Sequence, residues 1–346
     1  MPESYPARVS DLLRIACVQL TSGPDKSANL EKAERIVARA AATGADLVAL
    51  PEKWNAIGDP EVLHAAAETL EGGESVAAMA EWARRHGITL VGGSISERRE
   101  GREKLSNTSL AFGPDGELLG VYRKIHLFDV EVGGHVYRES EAEEPGEEAV
   151  VVRPPSEGRW GRASGNREVS RPLLLGARAD MRGAGGEANL EEEGGSWGKP
   201  GFPDGSEAGP SDRAEGWPIG LSVCYDVRFP ELYRILALEG AELVTVPAHF
   251  TTPTGKDHWH VLLRARAIEN QYYVAAPAQV GETLPGRPSY GRSLIVDPWG
   301  IVLAQAPDEE TVISAELDRG RLREVREKLP SLKNRQADAY RWPTPA

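Results

Sequence analysis

The sequence is poor in cysteine: only Cys17 and Cys224 occur in 346 residues. That is too few for the disulfide framework of a secreted scaffold and too few for a thiolate zinc cluster. No apolar run approaches the ~20 residues a bilayer-spanning helix needs. The opening MPESYPARVSDLLR also lacks the basic-then-apolar order of a secretory signal. A cytoplasmic chain with no membrane partner is the expectation. Positive charge is short as well, with 40 Lys and Arg against 53 Asp and Glu, a net charge of -13. Such a surface repels phosphate backbones, so no nucleic-acid partner is expected. What is present, 40% hydrophobic and 27% charged residues, is ordinary globular usage in a chain long enough to bury a sizeable core.

Apolar runs alternate with segments of helical period. Arg14 to Leu20, Asp46 to Leu50, Ile88 to Gly92 and Thr108 to Phe112 read as strands, and Leu30 to Ala42 and Ser75 to Arg85 as helices with one buried face. The second half repeats the pattern. Strands are expected at Ile219 to Val223, Leu243 to Pro247, Tyr272 to Pro277, Arg292 to Val296 and Thr311 to Glu316, with helices at Glu231 to Glu239 and His258 to Glu269. Strands alternating with helices indicate an α/β layer architecture. No linker divides 1–346, which reads as a single domain.

The exception is 153–216, which holds 14 of the 37 glycines and six prolines and shows no sustained period. It reads as a low-complexity insertion, solvated by nine basic and eleven acidic residues. Its flanks, Ala149 to Val152 and Trp217 to Val223, look like neighbouring strands that a short hairpin would ordinarily join. Loop-closure entropy grows slowly with length, so an insertion there is tolerable.

Cys224 sits where an apolar strand gives way to polar residues and then a helix. A thiol at such a turn points out of the end of the sheet, beside helix N-terminal NH groups that would favour the thiolate. The competing reading is a buried structural thiol, the commoner fate of a lone cysteine. Cys17, in the middle of IACVQL, reads as core packing. None of the histidines is marked by spacing as a partner for Cys224. Glu52, directly after the second strand, and Lys124, in Gly120-Val-Tyr-Arg-Lys-Ile-His, are candidates for the same carboxyl-end rim of the sheet, where open α/β folds place their sites. No glycine-rich dinucleotide fingerprint follows the first strand.

These motifs resemble the nitrilase superfamily of carbon-nitrogen hydrolases, in its Nit-like amidase branch. The resemblance is carried by Leu50-Pro-Glu-Lys-Trp54, Tyr122-Arg-Lys-Ile-His-Leu-Phe-Asp129 and Cys224-Tyr-Asp-Val-Arg-Phe-Pro-Glu-Leu-Tyr-Arg234. It continues through His258-Trp, Leu263 to Gln271 and Ser289 to Gly300. It implies a four-layer αββα sandwich and a Glu-Lys-Cys triad: Glu52 as general base, Lys124 as electrophilic stabiliser, Cys224 as nucleophile. The family's additional glutamate falls on Glu139, ahead of Pro145-Gly146, with Glu141 in the same acidic run as the alternative.

The resemblance further implies hydrolysis of a small carboxamide through a cysteine thioester, with water as co-substrate, no metal and no cofactor, in a homo-oligomer of two or more copies. The Tyr225 NH would help hold the oxyanion. Arg228 is a candidate for a distal substrate carboxylate, an ion pair with Glu231 being the structural alternative. His249, before Phe250, stands where a small residue is usual, and His260 replaces a glutamate; both are expected near the pocket wall. An N-carbamoyl amino acid hydrolase, a true nitrilase and a catalytically degenerate binding or scaffold module are the other readings.

Overall fold

The computed structural model describes residues 11–155 and 216–340, all of which belong to one unit. The strand β1 (Leu12–Gln19) shows how the layers arise. Its alternate side chains Leu13, Ile15 and Cys17 enter one core, while Ala16 and Val18 enter another. A strand apolar on both faces must be covered on both.

The first sheet runs β17 (Thr311–Asp318), β1, β2 (Leu47–Ala49), β3 (Thr89–Val91) and β5 (Ser106–Phe112). Both β4 (Ile95–Glu97) and β6 (Leu118–Arg123) pair antiparallel with β5. Its outer face is covered by α1 (Lys26–Ala42) and α3 (Glu74–His86), which contribute Ala33, Val37, Ala40, Met79 and Trp82. Asp25 caps α1, its Oδ1 accepting from the Ala28 N–H at 3.1 Å. Gly87 ends α3 in the left-handed region.

The second sheet runs β16 (Val302–Gln305), β15 (Leu294–Val296), β12 (Tyr273–Ala276), β11 (Leu243–Thr245), β10 (Ile219–Leu221) and β9 (Val150–Val152). Leu13, Ile15, Leu47 and Ala49 of the first sheet share a core with Ile219, Leu221, Leu243 and Val274 of the second. The outer layer is α5 (Pro230–Leu238) and α7 (His260–Asn270), with Leu232, Leu236, Leu263 and Ala267 turned inward. The order is helix, sheet, sheet, helix: the four-layer αββα sandwich expected from the motifs. Each fully buried Leu or Ile contributes about 1.5–3 kcal/mol.

Several elements had no counterpart in the apolar pattern. Among them are the strands β4 and β16, the hairpin β7 (Asp129–Val132) and β8 (His135–Arg138), the hairpin β13 (Val280–Leu284) and β14 (Arg287–Tyr290), and the helices α2 (Pro60–Ala66), α4 (Glu139–Ala142) and α8 (Arg319–Lys328). A short turn α6 (Thr252–Thr254) runs through a π-helical stretch, Gly255–Trp259, into α7. The low-complexity stretch lies almost wholly outside the described residues. Its flanking strands do not: β9 and β10 pair antiparallel with Val152 opposite Ile219. No helix among the described residues is long and apolar enough to cross a membrane.

Candidate active site

After β10 the chain turns sharply. Cys224 adopts φ 48°, a left-handed conformation that is costly for a side chain of this kind, and opens a 3₁₀ turn over Cys224–Arg228. The turn is held from two sides. The Cys224 N–H donates to Pro247 O at 2.8 Å, tying it to the end of β11. The buried Asp226 carboxylate accepts from the Val223 N–H at 2.8 Å, the Tyr122 hydroxyl at 2.6 Å and the His126 N–H at 3.2 Å. Tyr122 lies two residues before Lys124, so Asp226 fastens the cysteine's turn to the strand that carries the lysine. Losing that acceptor would strand buried donors at about 1–3 kcal/mol each.

Glu52 follows β2 through a passage that only glycine permits. A Cβ on Gly93, at φ 57°, would stand 2.0 Å from Pro51 O. Gln279 Nε2 donates to Glu52 O at 3.0 Å and fixes the backbone. Glu52 Oε1 accepts from Lys124 Nζ and Asn107 Nδ2, both at 2.9 Å, and Oε2 accepts from the His249 N–H at 2.8 Å. Lys124 Nζ also donates to Glu139 Oε2 at 2.8 Å, and that oxygen accepts from the Phe128 N–H at 2.7 Å. The Pro145-Gly146 step after the glutamate segment is explained by contact. The Gly146 N–H donates to Lys124 O at 2.8 Å, and a Cβ there would meet Arg123 O at 2.1 Å.

The charges settle one another. Burial pushes the Glu52 carboxyl up, but Lys124, Lys53 and the hydrogen-bonded Cys224 thiol outweigh it and hold Glu52 below its ordinary value. Burial likewise disfavours the Lys124 ammonium, yet Glu139 and Glu52 hold it well above the usual lysine range. The Cys224 thiol goes the other way, raised well above its ordinary value by burial and by the Glu52 carboxylate. The expectation of a resting thiolate is therefore corrected: the five-residue 3₁₀ turn does not offset desolvation, and a neutral thiol faces a charged base. The His249 imidazole is pushed down to about 4, chiefly by burial, and its Nε2 lies 2.7 Å from Thr283 Oγ1.

Glu52, Lys124, Glu139, Cys224 and His249 all line one cavity of about 750 Å³. The two hairpins also line it, through Tyr137, Arg138, Leu284 and Arg287. Glu139 stands against Lys124, whereas Glu141 lines the cavity without touching it. Arg228 forms no ion pair with Glu231. Its guanidinium lies 5.8 Å from the Tyr225 ring centre and 5.3 Å from that of Phe250, and 3.1 Å from His258 Nδ1. The Arg228, Tyr225 and Phe250 side chains form a cation–aromatic group outside the cavity lining. His260 corrects the expectation that put it at the pocket wall, because α7 turns its Nε2 to Gln305 at 2.9 Å. Four contributors went unnoticed in the sequence: Asn107, Lys53, Glu143 and Asp226. Lys53 follows Glu52 in the quoted motif, and Glu143 belongs to the acidic run of Glu139, so proximity to both was the available signal.

The model of the family described as carbon-nitrogen hydrolase matches residues 14–327. The chain is 34% identical over 328 residues to omega-amidase NIT2 of Xenopus tropicalis, covering 94% of this chain and 96% of that protein. It is 35% identical over 327 residues to the deaminated glutathione amidase of a Synechocystis strain, covering 92% and 97%. The crystal structure of Nit3 from Saccharomyces cerevisiae, described as a member of branch 10 of the nitrilase superfamily, matches with a TM-score of 0.71 at 29% identity, covering 96% of this chain and 99% of that one. With the sandwich and the Glu-Lys-Cys arrangement already described, these likenesses show that the chain belongs to the carbon-nitrogen hydrolase family, in the Nit-like branch of the nitrilase superfamily.

Proposed function

We propose that the chain is an amidase that hydrolyses the C–N bond of a small carboxamide through a thioester on Cys224, releasing ammonia. The observation that carries this reading is the meeting of Cys224, Glu52 and Lys124 in one cavity, where Lys124 bridges Glu52 and Glu139. An amide has a weakly electrophilic carbonyl and a poor leaving group. Cys224 Sγ attacks the carbonyl carbon while Glu52 takes the thiol proton, and Glu52 then passes that proton to the departing amine. Lys124 Nζ and the Tyr225 backbone N–H stabilise the oxyanion, a well-placed donor being worth roughly 3–4 kcal/mol. A water deprotonated by Glu52 then cleaves the thioester. Because the thiol is neutral and the base charged at rest, Cys224 gives its proton to Glu52 before or during attack.

The substrate class follows the named relatives: an ω-amide or a deaminated-glutathione-like carboxamide. A cavity of about 750 Å³ has room for either. We further infer a homo-oligomer, supported by Ile235, Leu238, Val261 and Ile268 exposed on α5 and α7, and by the exposed Leu329 and Tyr340 of the C-terminal segment. A reducing cytoplasm suits a nucleophile that must remain a free thiol. The test is ammonia release across ω-amides, N-carbamoyl amino acids and nitriles. Turnover of ω-amides, lost in Cys224→Ala, supports the reading. Turnover confined to N-carbamoyl compounds or nitriles overturns it, and so does none at all.

A further inference from the structure

Ser289 on β14 is only 6% exposed, and its Oγ has no hydrogen-bond partner among the described residues. A buried hydroxyl ordinarily has one. Ser289 lines the cavity that holds Cys224 and Lys124, so a molecule bound there can supply it. Two residues earlier, and so on the same face of the strand, Arg287 lines that cavity as well. The hairpin is fastened to the segment beside the nucleophile. The Tyr290 N–H donates to Phe250 O at 2.9 Å, Thr252 Oγ1 donates to Pro288 O at 2.8 Å, and Thr283 Oγ1 lies 2.7 Å from His249 Nε2. Charge singles out Arg287. Among the cavity's lysines and arginines, Lys53 and Lys124 are taken by Glu52, Glu139 and Glu143. Arg138 stands opposite Asp129 in the β7–β8 ladder. Arg287 stands opposite Leu284 and forms no ion pair among the described residues; the nearby Glu282 Oε1 accepts instead from the Gly286 N–H at 2.7 Å. The Arg287 guanidinium lies 5.5 Å from the Tyr137 ring centre. Phe128 backs that ring at 5.1 Å and packs at 5.0 Å on Tyr225, the residue after the nucleophile.

We propose that Arg287 is a specificity-determining residue: its guanidinium, laid on Tyr137, pairs with a carboxylate at the end of the acyl chain opposite the scissile amide, and Ser289 Oγ donates to the same substrate. The proposal rests on the amidase reading and names its substrate class as amides that carry a free carboxylate. With the amide held at Cys224, the other end of a short chain must meet another part of the lining. There the cavity offers a cation that the protein itself does not neutralise. A planar guanidinium can grip a carboxylate through two parallel hydrogen bonds. Arg228, the candidate that the sequence offered for this task, stands outside the lining. The far carboxylate keeps its charge throughout the reaction, so Arg287 binds ground state and transition state alike. Its loss therefore falls on KM and not on kcat. Arg287 is exposed, so solvent screens the pair and the effect is moderate.

The test measures kcat and KM for ammonia release from glutaramate, with an amide at one end and a carboxylate at the other, and from its uncharged methyl ester. The proteins compared are the wild type, Arg287→Met, Arg287→Lys, Ser289→Ala and Arg228→Met. The wild type should prefer glutaramate. Methionine keeps the packing on Tyr137 and removes the charge, so Arg287→Met should raise KM for glutaramate about 10-fold with kcat little changed. KM for the ester should move far less. Arg287→Lys should recover part of the loss, and Ser289→Ala should raise KM roughly 2–5-fold. Arg228→Met should leave the preference between the two compounds unmoved. A preference that survives Arg287→Met, an equal loss on both compounds, or a preference lost in Arg228→Met would each overturn the proposal. If neither compound turns over, calorimetric binding of glutarate decides. Affinity about 10-fold weaker in Arg287→Met supports the proposal, and equal affinity or no binding overturns it. A wild type inert toward every amide sinks the amidase reading, whereas glutarate binding still reports on Arg287.

Discussion

The two cysteines are both buried, in opposite chemical situations. Cys17 occupies the middle of β1, opposite Ile313 on one side and Ala49 on the other, and burial pushes its thiol far up against a single weak backbone contact at Ala276. Cys224 is buried too, and its thiol is also raised. The difference is in the company it keeps: Sγ donates to His249 O, and the charges of Glu52 and Lys124 act on the thiol in the same cavity. Burial alone makes a thiol inert. A charged base within hydrogen-bond reach makes a neutral thiol usable, so the pairing marks the nucleophile where the shift in acidity does not.

The sharpest way to break this contrast is to exchange the two sulfurs for other groups. Cys224→Ala should abolish turnover, a loss on the order of 10⁶-fold. Cys17→Ser should keep kcat while burying a hydroxyl among apolar side chains, a cost of about 1–3 kcal/mol in urea unfolding. Activity lost at Cys17 and kept at Cys224 would reverse the assignment.

Removing the base is the next largest effect. Glu52→Gln keeps the shape and removes the proton acceptor, so kcat should fall roughly 10²–10⁴-fold in a protein that still folds by circular dichroism. Lys124→Arg should also lose most of its rate, because a planar guanidinium cannot occupy the ammonium's place between Glu52 and Glu139. Near-normal kcat in either variant would show that the pairing around Cys224 does not do the chemistry.

Acid titration sharpens the comparison more gently. Glu52 is held below its ordinary value of 4.5, so the ionised base persists as pH falls to that value and is lost only below it. The acid limb of kcat/KM should therefore lie below pH 4.5. The stability contributed by Glu52 and Glu139 is present above 4.5 and disappears as pH falls through their depressed values. An acid limb near neutrality would contradict the charge assignment. The smallest expected effect belongs to residues 156–215. Because Val152 and Ile219 are already paired, replacing that stretch by a short Gly-containing turn should leave kcat/KM and Tm nearly unchanged. A large loss of activity in a folded protein would assign the stretch to the site.

The contrast also explains how much was legible in the sequence. Cys17 reads as core because its neighbours are apolar, and the buried strands and amphipathic helices were readable for the same reason. The hairpin β7–β8 alternates exposed and half-buried residues, and α8 buries only Leu322 and Val325 beneath a charged sequence, so neither gives a strong apolar period. Cys224, Glu52 and Lys124 were legible through their places at strand ends and through the motifs around them. Glu143 and Lys53 were not. A charged residue in an acidic run or after a proline-glutamate step ordinarily faces water, whereas the fold buries these two against each other and bridges Glu143 to Leu105. Asp226 escaped notice because its partners, Tyr122 and His126, lie about a hundred residues away.

The central claim is that Cys224, and not Cys17, becomes acylated, and acid-quenched turnover of a slow ω-amide followed by peptide mass spectrometry tests it directly. The account predicts a thioester adduct on the peptide containing Cys224, building up in a burst and absent from Glu52→Gln. An adduct on Cys17, or full activity in Cys224→Ala, would contradict it.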